Sequence, residues 1–177
     1  SELAFIIADG LNLKAANTNK YSDVAADYWA KEQIDRALGA DVMIGYPDST
    51  FKPDQPITKA EVFATFAKMM DVSADKKAAP VFEGQAVKFV PAWANGAANE
   101  VIASGILNKI PEKDKVVNDE YLSKEQVAFM LGAMKAGFNI DTSNGVTNCA
   151  TKHETIQLKI KLSERISART SNTGDTF

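Results

Sequence analysis

Three segments of the 177-residue chain align with one another without gaps, and this internal repeat limits the possible folds more than any other feature. The segments are residues 1–8, 60–67 and 125–132. In each of them apolar residues recur at spacings of three and four, which is the pattern of an amphipathic helix with one buried face. The chain is therefore predicted to be built from a repeated helical unit.

Helix-start signals precede the second and third segments. Thr58 and Ser123 are good N-cap residues, because their side-chain oxygens can accept an unpaired N–H of the first helical turn. Glu61 and Gln126 each follow three residues later and complete a capping box. Both helices are thus predicted to begin directly after these caps.

A second helical pattern lies upstream of each of these starts. It runs over residues 29–43 and again over residues 93–107, and a tryptophan opens each copy. The two tryptophans are 64 residues apart and the two caps are 65 residues apart. Two nearly equal offsets argue against a chance similarity between the copies. Residues 45–56 between the helices are rich in Pro, Asp and Ser, which favours turns, and Phe51 is predicted to anchor this loop to the helices. The repeating unit is thus helix, loop, helix.

The stretch from residue 20 to residue 70 contains the sequence YSDV, a tryptophan, the loop GYPDSTF and the helix start ITKAE. This combination resembles the S-layer homology (SLH) repeat, which has an aromatic-Ser-Asp-Val opening, a Gly-Tyr-Pro-Asp-Gly-Thr-Phe loop and an Ile-Thr-Arg-Ala-Glu helix start. Two positions depart from that pattern, since Ser49 replaces a Gly and Lys59 replaces an Arg. Residues 81–137 resemble a degenerate copy, and residues 1–13 resemble the last helix of a truncated earlier copy.

The resemblance implies a mainly α fold in which helix–loop–helix repeats form a pseudo-threefold bundle. It also implies a non-catalytic module that binds cell-wall glycan, either a secondary polymer or peptidoglycan, and anchors an exported surface or envelope protein. In such repeats the cation of the Thr-Arg-Ala-Glu position pairs with an anionic sugar substituent, a role that falls here to Lys59. Lys offers a point charge where Arg offers a bidentate fork, so we expect altered affinity or selectivity. The other glycan-binding candidates are Asp23, Trp29, Gly45, Tyr46, Asp48 and Glu61.

Several of these candidates have a purely structural interpretation as well. Lys59 could be a solvated surface charge, Glu61 is favoured as a helix cap, and Trp29 is favoured as a core residue. In the degenerate copy Lys124 takes the place of Lys59, and there we expect a scaffold role. The apolar side chains on the helix faces are expected in the core: Phe63, Phe66, Phe129 and Leu131.

The C-terminal part of the chain has a different character. Residues 138–154 are rich in Asn, Thr, Ser and Gly, which predicts a linker. Apolar and polar residues then alternate, so residues 155–177 are predicted to begin a β-rich segment of a further domain. Cys149 and His153 lie four residues apart in the linker, but no further ligand is near them, and no metal or other cofactor is expected.

Composition and charge exclude several other classes of protein. A net charge of −3 argues against a general nucleic-acid binder. A single Cys and a single His exclude an internal disulfide framework and zinc sites that need several such ligands. The longest apolar runs are far shorter than the roughly 20 residues of a membrane span. No phosphate-binding loop or nucleophile elbow occurs, so no enzymatic activity is expected of this chain.

Two other functions stay open. The degenerate second repeat and the Lys-for-Arg replacement also fit a structural domain that assembles with copies of itself or with other envelope proteins, in a surface layer, outer-membrane complex or filament. The repeats could instead anchor an envelope enzyme whose catalytic domain lies outside this sequence. In each case we expect the chain to be part of a longer protein of the cell envelope.

Overall fold

The computed structural model describes residues 1–16, 21–70 and 78–139. The chain divides into two compact units. Within the described part, the first unit comprises residues up to Ile57 and the second begins at Thr58. Among the described helices, none combines the length and the apolar character that a membrane crossing requires.

The first unit contains two helices that pack against each other, α1 (Glu2–Gly10) and α2 (Lys31–Gly39). The apolar spacing of α1 places one face in the core, as the sequence predicts. The buried residues of that face are Leu3, Ala4, Ile7 and Ala8. α2 contributes Ile34 and Ala37 to the same core. The predicted helix over residues 29–43 is therefore shorter, because α2 begins two residues after Trp29.

Arg36 of α2 connects the two helices of the first unit. Its guanidinium donates to Asp9 Oδ1 at 2.7 Å and to the Ala8 carbonyl at 3.1 Å. A third bond from Nε reaches the Leu13 carbonyl at 2.7 Å. The last carbonyls of a helix lack partners within it and carry partial negative charge, so a cation stabilises this end of α1.

The second unit is mainly helical and contains one short hairpin. Its elements are α3 (Lys59–Met70), β1 (Val81–Phe82), β2 (Gln85–Ala86), α4 (Asn95–Ala103), α5 (Lys113–Asn118) and α6 (Lys124–Asn139). β1 and β2 pair antiparallel, with Val81 opposite Ala86 and Phe82 opposite Gln85. Single 3₁₀ turns precede α4 at Ala92–Ala94 and follow it at Ile106–Lys109.

The core of the second unit lies between α3 and α4. α3 buries Val62, Phe63 and Phe66 on one face. α4 opposes it with small residues at 96–98, which allow two helices to approach closely. α6 packs on the 3₁₀ turn at Ile106–Lys109.

The predicted core position of Phe129 is wrong, since its side chain is 45% exposed. α6 buries a different stripe at spacings of three and four, formed by Val127, Met130, Leu131 and Met134. Phe129 lies on the opposite side of that helix. The predicted burial of Phe63, Phe66 and Leu131 is confirmed.

The mainly helical architecture predicted from the sequence is confirmed, but two elements differ from expectation. A hairpin occupies residues 81–86, and α5 lies between the two predicted helices of the degenerate copy, where the helix–loop–helix repeat predicts a loop. α6 continues to Asn139, two residues into the stretch that the sequence assigns to a linker. The rest of the predicted linker and the predicted β segment at 155–177 lie outside the described residues.

Candidate functional site

The loop after α2 is held in one conformation by its own polar groups. The Tyr46 N–H donates to the Thr50 carbonyl at 2.8 Å and closes a tight turn. Asp48 accepts the Thr50 N–H at 3.1 Å and also the Thr50 hydroxyl. The Lys52 ammonium lies 3.0 Å from the Asp48 carboxylate and 4.3 Å from the centroid of the Tyr46 ring. The Thr50 hydroxyl and the Lys52 ammonium hold the pKa of Asp48 below its usual value.

Asp23 fixes the far end of this loop to the segment that precedes α2. Its two carboxylate oxygens accept the Phe51 N–H at 3.0 and 3.1 Å, and one of them also accepts the Lys52 N–H at 2.7 Å. Such charge-assisted bonds to backbone N–H groups are stronger than neutral ones. The Phe51 ring is buried, which confirms the predicted anchor. Asp23 therefore shapes the loop from outside it.

At the start of the loop, the backbone of Gly45 lies so close to Thr50 and Tyr21 that only glycine fits. Its N–H donates to the Tyr21 hydroxyl at 2.8 Å. A Cβ at this position would lie 2.4 Å from the Thr50 carbonyl oxygen and 2.5 Å from the Tyr21 ring. Both distances are far below van der Waals contact, so a side chain does not fit without a shift of the loop.

Trp29 lies at the surface, with 59% of its side chain exposed, so the favoured interpretation as a core residue is wrong. It is flanked by two other aromatic rings. The centroid of its ring is 5.9 Å from that of Phe5 on α1 and 6.0 Å from that of Tyr28. Phe5 is itself 40% exposed. These three residues, Phe5, Tyr28 and Trp29, are called the aromatic cluster below.

Lys59 is fully buried at the start of α3 in the second unit, so its interpretation as a solvated surface charge is wrong. Its ammonium donates to the Val116 carbonyl at 2.7 Å and lies 3.4 Å from the Val117 carbonyl, both in the last turn of α5. Its own N–H donates to the Glu120 carbonyl at 2.8 Å. Burial lowers the pKa of Lys59 to about 8, against a smaller opposing effect of Asp119.

Glu61 caps the helix that contains it, as predicted. Its carboxylate accepts the Thr58 N–H at 2.8 Å, and the Thr58 hydroxyl oxygen accepts the Glu61 N–H at 3.3 Å. The second predicted capping box also forms, because the Gln126 side chain accepts the Ser123 N–H at 2.9 Å and its N–H donates to Ser123 Oγ at 3.1 Å. Lys124, the counterpart of Lys59, is exposed.

The structure thus joins four of the sequence-predicted candidates in one feature of the first unit. Asp23, Tyr46 and Asp48 form hydrogen bonds with residues 50–52, and Gly45, which precedes Tyr46, donates to the Tyr21 hydroxyl. Trp29 belongs to the aromatic cluster, and its partner Phe5 was not among the residues predicted from the sequence. The signal for Phe5 was present, because it falls outside the apolar stripe of α1 and so points away from the core.

A sequence model of the S-layer homology domain matches the region that contains this loop and the start of α3. Residues 20–63 match the S-layer homology domain family. The predicted resemblance is therefore confirmed for this part of the chain. The matched region includes Asp23, Trp29, the loop with Gly45, Tyr46 and Asp48, and the first residues of α3.

The proteins with sequences similar to this chain have names that refer to the outer membrane, the cell surface or the S-layer. Outer membrane protein SlpA of Deinococcus radiodurans is 41% identical over 54 residues, which is 30% of this chain and 5% of that protein. Cell surface glycoprotein 1 of Acetivibrio thermocellus is 28% identical over 129 residues, or 70% of this chain and 6% of that protein. The S-layer protein of Bacillus licheniformis is 29% identical over 80 residues, which is 45% of this chain and 9% of that protein. The chain thus spans less than a tenth of these relatives' own length, and no solved structure matches it.

Proposed function

We propose that this chain is a non-catalytic module that binds cell-wall glycan, a secondary polymer or peptidoglycan, and anchors a surface or envelope protein. The observation that carries the proposal is the S-layer homology match at residues 20–63, which includes a loop held by hydrogen bonds to Asp23, Asp48 and Thr50. The names of the relatives place those proteins at the cell surface, in the S-layer or in the outer membrane. We extend that location to this chain as part of the proposal.

The loop geometry supports a binding role because a preformed loop loses little entropy when it meets a ligand. Asp23 and Gly45 fix its backbone, while Tyr46 and Asp48 are left at least partly exposed on it. The exposed aromatic cluster offers the flat apolar surface on which the C–H face of a sugar ring can pack. We further propose that helix–loop–helix repeats pack here as a pseudo-threefold bundle.

Co-sedimentation with purified wall sacculi tests the anchoring function. We expect the wild-type chain to pellet with sacculi and to stay in solution after their secondary polymers and peptidoglycan have been degraded. Asp23→Asn should weaken the association by about fivefold, because the loop loses charge-assisted bonds to two N–H groups. Asp114→Asn is a matched control, since this exposed residue lies on α5 far from that loop in sequence. Failure of the wild-type chain to pellet would refute the proposal.

A structural role in assembly is the second candidate, and exposed apolar side chains of the second unit favour it. Phe89, Trp93 and Phe129 are 55%, 65% and 45% exposed. Aromatic side chains are enriched at protein–protein interfaces relative to the rest of the protein surface. Sedimentation velocity of the full chain without glycan tests this role. Concentration-dependent association that Phe129→Ser abolishes would support it, and a monomer at all concentrations would contradict it.

A further inference from the structure

The last helix of each repeat copy can be compared position by position, because residues 1–8, 60–67 and 125–132 align without gaps. These segments fall at α1, α3 and α6. The fourth and eighth aligned positions are buried in α1 and α3, where they are occupied by Ala4, Ala8, Phe63 and Ala67. The same positions of α6, Ala128 and Gly132, are exposed. One helix face is thus covered in α1 and α3 and open in α6.

α6 is apolar on two opposite sides. One side packs in the core of the second unit, as described above. The other side carries a second run of apolar residues at spacings of three and four, all of them exposed: Ala128, Phe129, Gly132 and Ala136. These four residues are called the outer stripe below. A surface helix keeps one polar side toward water, whereas a helix that is apolar all round is typically buried, so the outer stripe is suited to contact with another protein segment.

The other last helices show what covers this face. Each packs on the first helix of the following copy, which is the helix that comes after the tryptophan, so α1 packs on α2 and α3 packs on α4. In the first pair the Phe5 ring of α1 lies 5.9 Å from the ring of Trp29, just before α2. Phe129 is the α6 equivalent of Phe5. Since α2 and α4 are already paired with α1 and α3, an equivalent partner for α6 would come from outside the described residues.

The small side chains of the outer stripe suit a packed helix. The α3–α4 pair uses the same device, because α4 has Gly, Ala and Ala at residues 96–98 and helices with small residues at their contact approach closely. A Cβ built on Gly132 would meet no other atom within 4 Å, so the space in front of it is open. The outer stripe therefore combines room for a helix with one large ring, that of Phe129.

We propose that the outer stripe of α6 binds the first helix of a further S-layer homology copy, with the tryptophan that opens that helix packed on Phe129. The occupant is an amphipathic helix like α2, which buries Ile34 and Ala37 on one face. This surface continues the pairing of last and first helices that α1–α2 and α3–α4 already form. The inference goes beyond the proposed function, because glycan binding is assigned to the loop and the aromatic cluster of the first unit.

A synthetic peptide of residues 25–44, which contains Trp29 and α2, is the probe. Its fluorescein-labelled form is titrated with the full chain, and fluorescence anisotropy measures binding. A helix this short is only marginally stable alone, so we expect saturable binding with a dissociation constant of about 10–100 μM. A peptide that carries Trp29→Ala should bind about tenfold more weakly or worse, because the ring that packs on Phe129 is missing.

Two leucine variants of the full chain identify the surface that the peptide uses. Gly132→Leu fills the open space at the outer stripe, so the peptide should bind at least about tenfold more weakly. Gly137→Leu is the matched control. It lies five positions further along α6 on a different side, and a Cβ there also meets no atom within 4 Å, so affinity should change by less than about twofold. Leucine is a better helix former than glycine, so both variants should melt no lower than the wild type.

Each other result overturns the proposal in a distinct way. Absence of peptide binding up to about 1 mM would refute it. Equal effects of Gly132→Leu and Gly137→Leu would mean that the peptide binds elsewhere, for example on α1 in place of α2. Self-association of the full chain that Gly132→Leu abolishes, without peptide binding, would assign the outer stripe to a second copy of the chain. Pelleting with sacculi is measured independently, so glycan anchoring stands or fails separately.

Discussion

Ser49 occupies a left-handed backbone conformation, with φ at 63°, in the turn that Asp48 and Thr50 stabilise. An L-residue with a side chain adopts this region at a cost of roughly 1–2 kcal/mol, whereas glycine adopts it freely. The resemblance to the SLH repeat places a glycine here. The loop thus forms with the expected shape although its sequence departs from the pattern, because the surrounding hydrogen bonds offset the strain.

Replacing Ser49 by glycine should therefore stabilise the first unit. We expect Ser49→Gly to raise the free energy of unfolding by about 0.5–1 kcal/mol, after the greater entropy of glycine in the unfolded chain is subtracted. Ser22→Gly is the control, since Ser22 is also exposed and its φ is not positive, so glycine there should be neutral or destabilising. Urea unfolding of the wild type and both variants measures the difference. Equal or opposite shifts for the two variants would contradict the strain argument.

Single residues also mark the limit of prediction from sequence. The roles of Glu61 and Phe51 were predictable from the sequence. A cap depends on residues three positions apart, and a large apolar ring in a turn is buried by packing on the adjacent helices. The burial of Lys59 was not, since its partner Val116 lies 57 positions away. The exposure of Trp29 was equally hidden, because a hydrophobic side chain alone does not reveal whether a neighbouring element covers it.

At the scale of elements, the starts of the capped helices were predictable from the sequence, whereas the short elements were not. Both helices with a capping box begin within one residue of the predicted cap. The hairpin at residues 81–86 was missed although Glu83 and Gly84, with φ of 49° and 79°, form the kind of two-residue turn that such hairpins use. α5 was missed because its six residues are too few to display a helical period.

The capping box of α3 gives a test at this scale. Thr58→Ala removes the oxygen that accepts the Glu61 N–H, so we expect a loss of about 1 kcal/mol in the free energy of unfolding. Thr65→Ala is a matched control in the same helix. Its hydroxyl donates to the Glu61 carbonyl within the helix, and alanine is the better helix former, so the free energy should change by less than about 0.5 kcal/mol or rise. Urea unfolding measures both, and equal losses would show that the cap contributes nothing specific.

Across the whole molecule, both units use a basic side chain of one helix to cap the C-terminal end of another. Arg36 does so for α1 in the first unit, and Lys59 does so for α5 in the second. The two caps differ in exposure, because the Arg36 side chain keeps 12% of its surface exposed while Lys59 is fully buried. Burial of the Lys59 ammonium lowers its pKa to about 8, so the second cap makes stability depend on pH.

The lowered pKa of Lys59 fixes the sign of that dependence. Below about pH 8 the side chain is charged in both the folded and the unfolded state, and the full desolvation penalty applies. Above that value the folded chain releases the proton while the unfolded chain keeps it up to its ordinary pKa of 10.5. The unfolded state then binds more protons, so this residue makes stability rise with pH, by on the order of 2–3 kcal/mol between about pH 7.5 and pH 10.5.

A comparison with Lys59→Met isolates this contribution from those of other groups that titrate in the same range. Methionine keeps the length of the side chain without its charge, so the free-energy difference between wild type and variant should grow with pH in favour of the wild type. Urea unfolding at several pH values, followed by Trp93 fluorescence in a Trp29→Phe background, reports on the second unit alone, because the chain has two tryptophans. Parallel pH profiles for the two proteins would mean that the Lys59 ammonium is solvated. Lys59 would then be accessible to pair with an acidic glycan.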